Sequence, residues 1–250
     1  MRRRDFLQNT LVAGAALGAA GISGMSHPKL WAGTADGRSL RPEENKLTPP
    51  SKGKIAVAVL ISEGVTMIDY AGPWEVFQDV HVPSRGSGMD EQMPFQLFTV
   101  SDTTDTVVGS AGLKLVPDYT FKTAPQPKVV VIPAQGGRSP AMLDWLREVS
   151  KGADVVMSVC TGAFLLAQTG LIDGKSATTH HDFFDRFVKR FPNIELKRGL
   201  RFVEGPKFSS AGGLTSGIDL ALRVVERYFG REVAQRTATY MEYQSKGWMV

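Results

Sequence analysis

The sequence predicts an α/β domain in which a mainly parallel sheet is covered by helices on both faces. Short apolar runs typical of buried strands recur at 54–61, 95–101, 129–132 and 154–159. Segments with helical spacing of apolar residues separate several of these runs. Strands that alternate with helices form mainly parallel sheets buried on both faces. The composition, 42% hydrophobic and 22% charged, is that of a globular protein.

The individual elements follow from the same periodicities, and they indicate one domain without internal repeats. Ser139 is positioned to cap a helix that has Pro140 at its first position. In chain order, we predict a strand at 54–61, a helix at 68–80, a polar loop at 83–94, a strand at 95–101, a hairpin at 107–116, a strand at 129–132, a helix from 140 to about 150, a strand at 154–159, helices at 161–169 and 182–191, short strands at 202–204 and 208–210, and helices at 215–229 and 231–243.

The N-terminus carries a pattern that resembles a twin-arginine export signal. Arg3, Arg4, Phe6 and Leu7 form its core, and an Ala/Gly-rich apolar run follows at 11–20. We therefore predict a signal peptide at 1–35, cleaved somewhere between 20 and 35, and a periplasmic protein. A segment rich in Pro, Ser and charge at 36–53 is predicted to be a flexible linker, and 54–250 to be the domain. No later stretch has the length and apolarity of a membrane helix, so we expect no membrane association after cleavage.

The charge distribution argues against nucleic-acid binding. Residues 1–53 hold eight Lys/Arg and four Asp/Glu, whereas residues 54–250 hold 21 of each. The whole excess of +4 therefore belongs to the leader and linker, and the domain lacks a basic patch with interleaved aromatic residues.

The chemistry is predicted to centre on Cys160, the single cysteine, which has no partner for an intramolecular disulfide. It stands between an apolar strand and a predicted helix, with Ser158 and Gly162 two residues away on either side. This is the layout of a nucleophile elbow, a sharp turn that lifts the nucleophile over the sheet edge. A helix N-terminus favours a thiolate, so we expect a lowered thiol pKa. The alternative is an inert buried thiol.

Other candidate residues surround this cysteine in the predicted topology. Gly136 and Gly137 end a neighbouring strand and could direct backbone N–H groups at an oxyanion, although they also suit an ordinary turn. Asp69 follows the first strand among apolar residues and is an acid/base candidate, or a favourable acid at a helix start. His180 or His181 could supply a base, or lie on the surface. We find no metal-ligand spacing and predict no metal.

These motifs, in this order, resemble the ThiJ/PfpI family of the class I glutamine-amidotransferase-like superfamily. The resemblance covers roughly residues 54–245. It is carried by the string from Asp69 to Phe77, by Pro133 to Gly137, by Val159-Cys160-Thr161-Gly162, by Thr178-Thr179-His180 and by Ser210-Ala211-Gly212-Gly213. It implies a flavodoxin-like three-layer sandwich, a homodimer, no cofactor, and a small-molecule substrate. It also implies an acid from the first helix beside the elbow cysteine, with His180 and Gly213 lining the substrate site.

Within the family, the sequence resembles the isonitrile hydratase branch because it has Asp at position 69 and Thr at position 161. That resemblance implies hydration of an isonitrile to an N-substituted formamide, with Cys160 as nucleophile, Asp69 as proton shuttle and Thr161 holding the intermediate. His181 departs from the expected pattern. Other interpretations are a glyoxalase-like enzyme, in which His180 matters more, and a non-catalytic binding or redox-sensing module. Thr161, where protease-like relatives carry His, weakens a peptidase interpretation.

Overall fold

The structure, a computed structural model, describes residues 45–249. The strands are β1 (Ile55–Leu60), β2 (Phe95–Ser101), β3 (Val107–Val108), β4 (Lys114–Leu115), β5 (Tyr119–Thr120), β6 (Val129–Ile132), β7 (Val155–Val159), β8 (Ser176–Ala177), β9 (Glu195–Leu196), β10 (Phe202–Val203) and β11 (Phe208–Ala211). The helices are α1 (Met67–Gln78), α2 (Met89–Gln92), α3 (Pro140–Gly152), α4 (Gly162–Gln168), α5 (Phe184–Arg190), α6 (Ser216–Phe229) and α7 (Arg231–Tyr240).

The central sheet has seven strands in the order β10-β11-β7-β6-β1-β2-β5. All neighbours pair in parallel except β10, which is antiparallel to β11 at one edge. Apolar side chains of α1, α6 and α7 pack on one face, and those of α3, α4 and α5 pack on the other. The structure therefore confirms the predicted flavodoxin-like α/β sandwich with a mainly parallel sheet.

The strand order places a topological switch at the centre of the sheet. From β1 the chain first runs outward through β2 and β5, and it then returns to β6 on the other side of β1 before continuing to β7 and β11. In open α/β sheets, the loops that leave such a switch point part from each other and form a crevice at the carboxyl ends of the strands. The segments that follow β1, β6 and β7 therefore converge at one edge.

Most predicted elements are confirmed within one to three residues, and the differences concern short ones. The strands β5, β8 and β9 each contain two residues and are too short for a periodicity. The predicted loop at 83–94 contains a 3-10 turn at Pro83–Arg85 and the single turn of α2. The helix predicted at 182–191 begins as a 3-10 turn at His181–Phe183, so that α5 starts only at Phe184.

Part of the predicted linker at 36–53 already contacts the domain. Asn45 is buried, its side-chain amide donates to Glu204, and its carbonyl accepts from Nε of Arg227 at 2.8 Å. The N–H of Leu47 donates to the carbonyl of Arg227 at 2.8 Å. These contacts differ from the flexible linker expected here, because the Asn45 side chain and the backbone of Asn45 and Leu47 reach partners on α6 and beside β10. The predicted signal peptide and the linker up to residue 44 lie outside the described residues.

Among residues 45–249, no helix has the length and apolarity that crossing a membrane would require.

Candidate active site

Cys160 occupies the turn between β7 and α4 in a strained backbone conformation. Its φ is 57°, in the left-handed region that residues with a side chain rarely adopt. The Cys160 N–H donates to the carbonyls of Gly212 at 2.7 Å and Ala211 at 3.2 Å, which ties the turn to the end of β11. Thr179 Oγ1 donates to the Cys160 carbonyl at 2.9 Å. These bonds from β11 and the β8 side hold the elbow, and the side chain is left 8% exposed.

Gly162 lets the helix after the elbow approach the neighbouring strand. A β-carbon built at Gly162 would overlap the carbonyl oxygen of Ile132 and stand 2.9 Å from that of Pro133. Ser158, two residues before the cysteine, is fully buried and lies in register with Ile132 of β6. The small residues on both sides of Cys160 therefore allow the close packing that the elbow pattern predicted.

Asp69 lies in the first turn of α1, and the structure brings it to Cys160. Its side chain is fully buried, and Oδ2 accepts a hydrogen bond from the Ala134 N–H at 3.1 Å. Oδ1 has no hydrogen-bond partner of standard geometry among the described residues. Burial raises the pKa of Asp69 to about 6, an effect opposed by the Ala134 hydrogen bond and by the interaction with the Cys160 thiol. The carboxyl is thus poised to exchange a proton near neutral pH.

The pKa of the Cys160 thiol is raised in the structure, whereas the sequence predicted that it would be lowered. Burial raises the pKa of Cys160 to about 12, and the negative charge of Asp69 adds to this increase. Backbone N–H groups of Thr161 and Leu214 favour the thiolate, but they do not outweigh burial. The predicted lowering by a helix N-terminus fails because α4 has only seven residues and a carboxylate stands beside the sulfur. Two negative charges are costly in this buried site, so the Asp69–Cys160 pair retains one proton.

Two residues of the site were not predicted. Leu214 supplies an N–H to the sulfur from a left-handed conformation with φ of 52°. A leucine there carries no sequence signal, because such conformations are usually associated with glycine. Thr179, which supports the cysteine carbonyl, lies in the recognised Thr178-Thr179-His180 string, but that string alone did not indicate its role. Thr161 is partly exposed at the mouth of the site and contributes its backbone N–H.

In the glycine pair after β6, the N–H of the first glycine is already engaged. The Gly136 N–H donates to the carbonyl of Glu63 at 2.8 Å, so it is not available to a substrate oxygen. A β-carbon on Gly137 would stand 2.8 Å from Oγ of Ser62. Gly136 and Gly137 therefore let the loops after β1 and β6 lie against each other. In this loop, the N–H that faces a site residue is that of Ala134.

His180 packs against Gly213, which follows the residue that accepts the Cys160 N–H. A β-carbon at Gly213 would overlap the imidazole ring of His180, so this glycine permits direct packing of the ring on the loop. Nδ1 of His180 accepts from the N–H of Asp182 at 3.3 Å, and the ring stacks on His181 with 4.4 Å between centroids. No hydrogen bond joins His180 to Cys160 in the part of the chain that the structure describes. The group beside the sulfur with acid/base character is therefore Asp69.

The structure also gathers three potential metal ligands that the sequence spacing did not indicate. Ligand atoms of His180, His181 and Asp182 lie within 4.8 Å of one another. These residues are consecutive, and His181 and Asp182 are exposed. In this group, Nδ1 of His180 accepts a hydrogen bond from the N–H of Asp182.

A separate groove of about 400 Å³ contains none of the residues around Cys160. It lies between the end of α1, the α2 region and α7, and its lining includes Val80, Met89, Met93, Arg236 and Tyr240.

Comparison with known proteins places this site in context. Residues 55–227 match the DJ-1/PfpI family. An isonitrile hydratase of Pseudomonas putida is 30% identical over 194 residues, which are 76% of this chain and 78% of that protein. The HTH-type transcriptional regulator CdhR of Pseudomonas aeruginosa is 34% identical over 96 residues, which span only 28% of that regulator.

Solved structures have the same fold. A ThiJ/PfpI family protein from Pseudomonas syringae superposes with a TM-score of 0.67 at 25% identity, covering 84% of this chain and 82% of that chain. DJ-1beta of Drosophila melanogaster superposes with a TM-score of 0.65 at 18% identity, covering 77% of this chain and all of that chain.

Proposed function

We propose a function from one premise: the chain belongs to the DJ-1/PfpI family, which includes enzymes such as isonitrile hydratase and also regulators. The function proposed is cysteine-dependent hydration of a small isonitrile to an N-substituted formamide. The observation that carries it is the buried Asp69–Cys160 pair, a soft nucleophile beside one acid/base group of pKa about 6. The similarity to the isonitrile hydratase over three quarters of this chain supports the choice of substrate.

The first half of the reaction transfers the thiol proton and forms the carbon–sulfur bond. The Asp69 carboxylate accepts the proton of Cys160, and N–H groups of Thr161 and Leu214 stabilise the thiolate as it forms. The sulfur attacks the terminal carbon of R–N≡C, whose electrophilic carbon suits a soft nucleophile. Asp69 then returns the proton to that carbon, which leaves a thioimidate, R–N=CH–S–Cys160.

The second half consumes one water molecule. Asp69, again a carboxylate, accepts one proton from the water while the oxygen adds to the thioimidate carbon, and it then passes this proton to the nitrogen. The tetrahedral species, R–NH–CH(OH)–S–Cys160, collapses with cleavage of the carbon–sulfur bond. Asp69 transfers the hydroxyl proton to the sulfur, which restores the thiol, and R–NH–CHO is released. In this proposal Thr161, which is partly exposed and follows Cys160 directly, holds this intermediate.

Turnover of cyclohexyl isonitrile by the full chain tests this proposal. We expect the wild-type protein to form the formamide, and we expect the rate to fall by about 10³-fold or more in Cys160→Ala. Removing the nucleophile of a set of catalytic residues that act together has effects of that size. Alanine keeps a β-carbon at the strained position, so the backbone strain of the two proteins is comparable. Formamide is measured by mass spectrometry, and circular dichroism confirms folding.

Absence of formamide from a folded, reduced wild-type protein would contradict the hydratase proposal. The second candidate is a non-catalytic binding module, which the similarity to a transcriptional regulator favours. Saturable binding of an isonitrile without turnover, unaffected by Cys160→Ala, would support that candidate instead.

We also propose export through the twin-arginine route, on the strength of Arg3, Arg4, Phe6 and Leu7. Replacing Arg3 and Arg4 by Lys should retain the protein in the cytoplasm of a bacterial host, because that signal requires the arginine pair. Cell fractionation with immunoblotting measures the distribution. The matched control replaces Arg38 and Arg41 by Lys, outside the signal core. Equal periplasmic amounts for both variants would contradict the proposal.

A further inference from the structure

The loop that supplies the Leu214 N–H is held by a polar cluster beyond the site. Leu214 has φ of 52° and lies between β11 and α6, and the neighbouring Gly212 carbonyl accepts the Cys160 N–H. A leucine pays an energetic penalty in the left-handed region unless surrounding contacts determine its conformation.

The first contact is an ion pair at the base of the loop. Arg201, next to β10, donates from both Nε and Nη2 to the fully buried carboxylate of Asp219 in the first turn of α6. Arg201 also donates from Nη2 to Thr215 Oγ1 at 3.3 Å, and its carbonyl accepts the Gly212 N–H at 2.8 Å. One arginine thus contacts the loop on both sides of Leu214.

The second contact comes from the segment after α7, which folds back onto this ion pair. Tyr243 Oη accepts from Arg201 Nη2 at 3.3 Å, and Ser245 Oγ donates to Asp219 Oδ1 at 3.2 Å. A β-carbon at Gly247 would stand 3.2 Å from Arg201 Nε and from both Asp219 carboxylate oxygens, so this glycine lies directly over the pair. Trp248, which follows it, is fully buried and anchors the segment.

We propose that Arg201, Asp219 and Tyr243 are positioning residues that hold the loop at 212–215, so that the Gly212 carbonyl accepts the Cys160 N–H and the Leu214 N–H faces the sulfur of Cys160. None of the three touches the reacting atoms. They act through a loop whose conformation is unfavourable for leucine, so loosening the cluster should let Leu214 relax and turn its N–H away. The inference rests on the proposed role of Cys160 as nucleophile, but it concerns thiolate formation and does not depend on the substrate.

Alkylation by iodoacetamide tests the inference without using turnover. Cys160 is the single cysteine, so the second-order rate at that residue is read directly by mass spectrometry. We expect Arg201→Met to slow alkylation about tenfold across pH 7–9, which corresponds to a thiol pKa raised by roughly one unit. Tyr243→Phe should slow it about threefold. A variant that merely loosened the fold would expose the buried thiol and speed alkylation, so the direction of change separates the two effects.

Two controls isolate positioning from charge. The double variant Arg201→Met/Asp219→Asn removes both charges of the pair. It should remain as slow as Arg201→Met if the loop has moved, and it should recover the wild-type rate if only a charge was lost. Tyr240→Phe makes the same change as Tyr243→Phe at an exposed tyrosine of α7 and should leave the rate unchanged.

Recovery of the wild-type rate in the double variant, or an unchanged or faster rate in Arg201→Met, would overturn the inference. If Arg201→Met does not fold, Tyr243→Phe decides: slowing supports positioning, and the wild-type rate overturns it. Failure of the hydratase proposal appears separately, as absence of formamide from the wild type. Slowed alkylation together with no formamide would leave the positioning role standing.

Discussion

Replacing Asp69 by Asn is expected to abolish turnover and at the same time to stabilise the fold near neutral pH. Turnover should fall by about 10³-fold, because the amide cannot accept the thiol proton. Stability should rise because the wild-type protein keeps a charged carboxylate in a fully buried position. Asn can still accept the Ala134 hydrogen bond through its carbonyl oxygen, so the contact that orients the side chain is preserved.

The direction of the pH dependence follows from the raised pKa. Burial raises the pKa of Asp69 from its ordinary value of 3.8 to about 6 in the folded protein. Between these values the folded state binds the proton more tightly than the unfolded state. The contribution of Asp69 to the free energy of unfolding is therefore highest below about pH 4. It decreases as the pH rises to about 6, and it is constant above that pH. A shift of this size corresponds to roughly 3 kcal/mol, so Asn should stabilise by about 1–3 kcal/mol at pH 8 and have little effect at pH 4.

Urea unfolding at pH 4 and pH 8 measures the difference in stability between Asp69→Asn and the wild type. In the wild type, turnover should increase with pH through about pH 6 as Asp69 loses its proton. The matched control is Asp105→Asn, which makes the same change at an exposed carboxylate. Equal stability of Asp69→Asn and wild type at pH 8, combined with retained turnover, would show that Asp69 is neither strained by burial nor the proton carrier.

The second large effect is expected at Gly162, where alanine should destabilise the fold and distort the turn that carries Cys160. The added methyl group would overlap the carbonyl oxygen of Ile132 and lie 2.9 Å from that of Pro133. These are backbone atoms at the end of β6, which is held between β1 and β7 and therefore cannot move aside. We expect the free energy of unfolding to fall by about 3 kcal/mol or more and the melting temperature to fall by about 6–12 °C. Turnover should be lost as well.

Differential scanning calorimetry measures the effect, and Gly88→Ala is the matched control. Gly88 has φ of −92°, and the atom nearest to a β-carbon there would be a carboxylate oxygen of the flexible Glu91 side chain, at 3.7 Å. Its substitution should change the melting temperature by no more than about 2 °C, as surface changes usually do. A melting temperature for Gly162→Ala equal to that of the control would contradict the close approach of α4 to β6.

Local patterns in the sequence were sufficient for most of the fold. The runs that became β1, β6 and β7 are continuous and apolar because parallel strands are covered on both faces, and Ser139 caps α3 by accepting from the Met142 N–H at 3.2 Å. The small residues around Cys160 predicted the elbow, since only such residues permit a tight strand-to-helix turn. In each case, the information lies in residues that are close along the chain.

The protonation state of the site was decided only by the tertiary structure. The thiol pKa depends on burial and on Asp69, which is contributed by α1 more than eighty residues earlier in the chain. The same is true of hydrogen-bond donors: the Gly136 N–H is engaged by Glu63, whereas Ala134 and Leu214 face the site. Which N–H groups remain available depends on how separate loops lie against one another. The sequence by itself therefore determined the fold class and the turn that carries Cys160, and the packing of distant segments determined which groups surround its thiol.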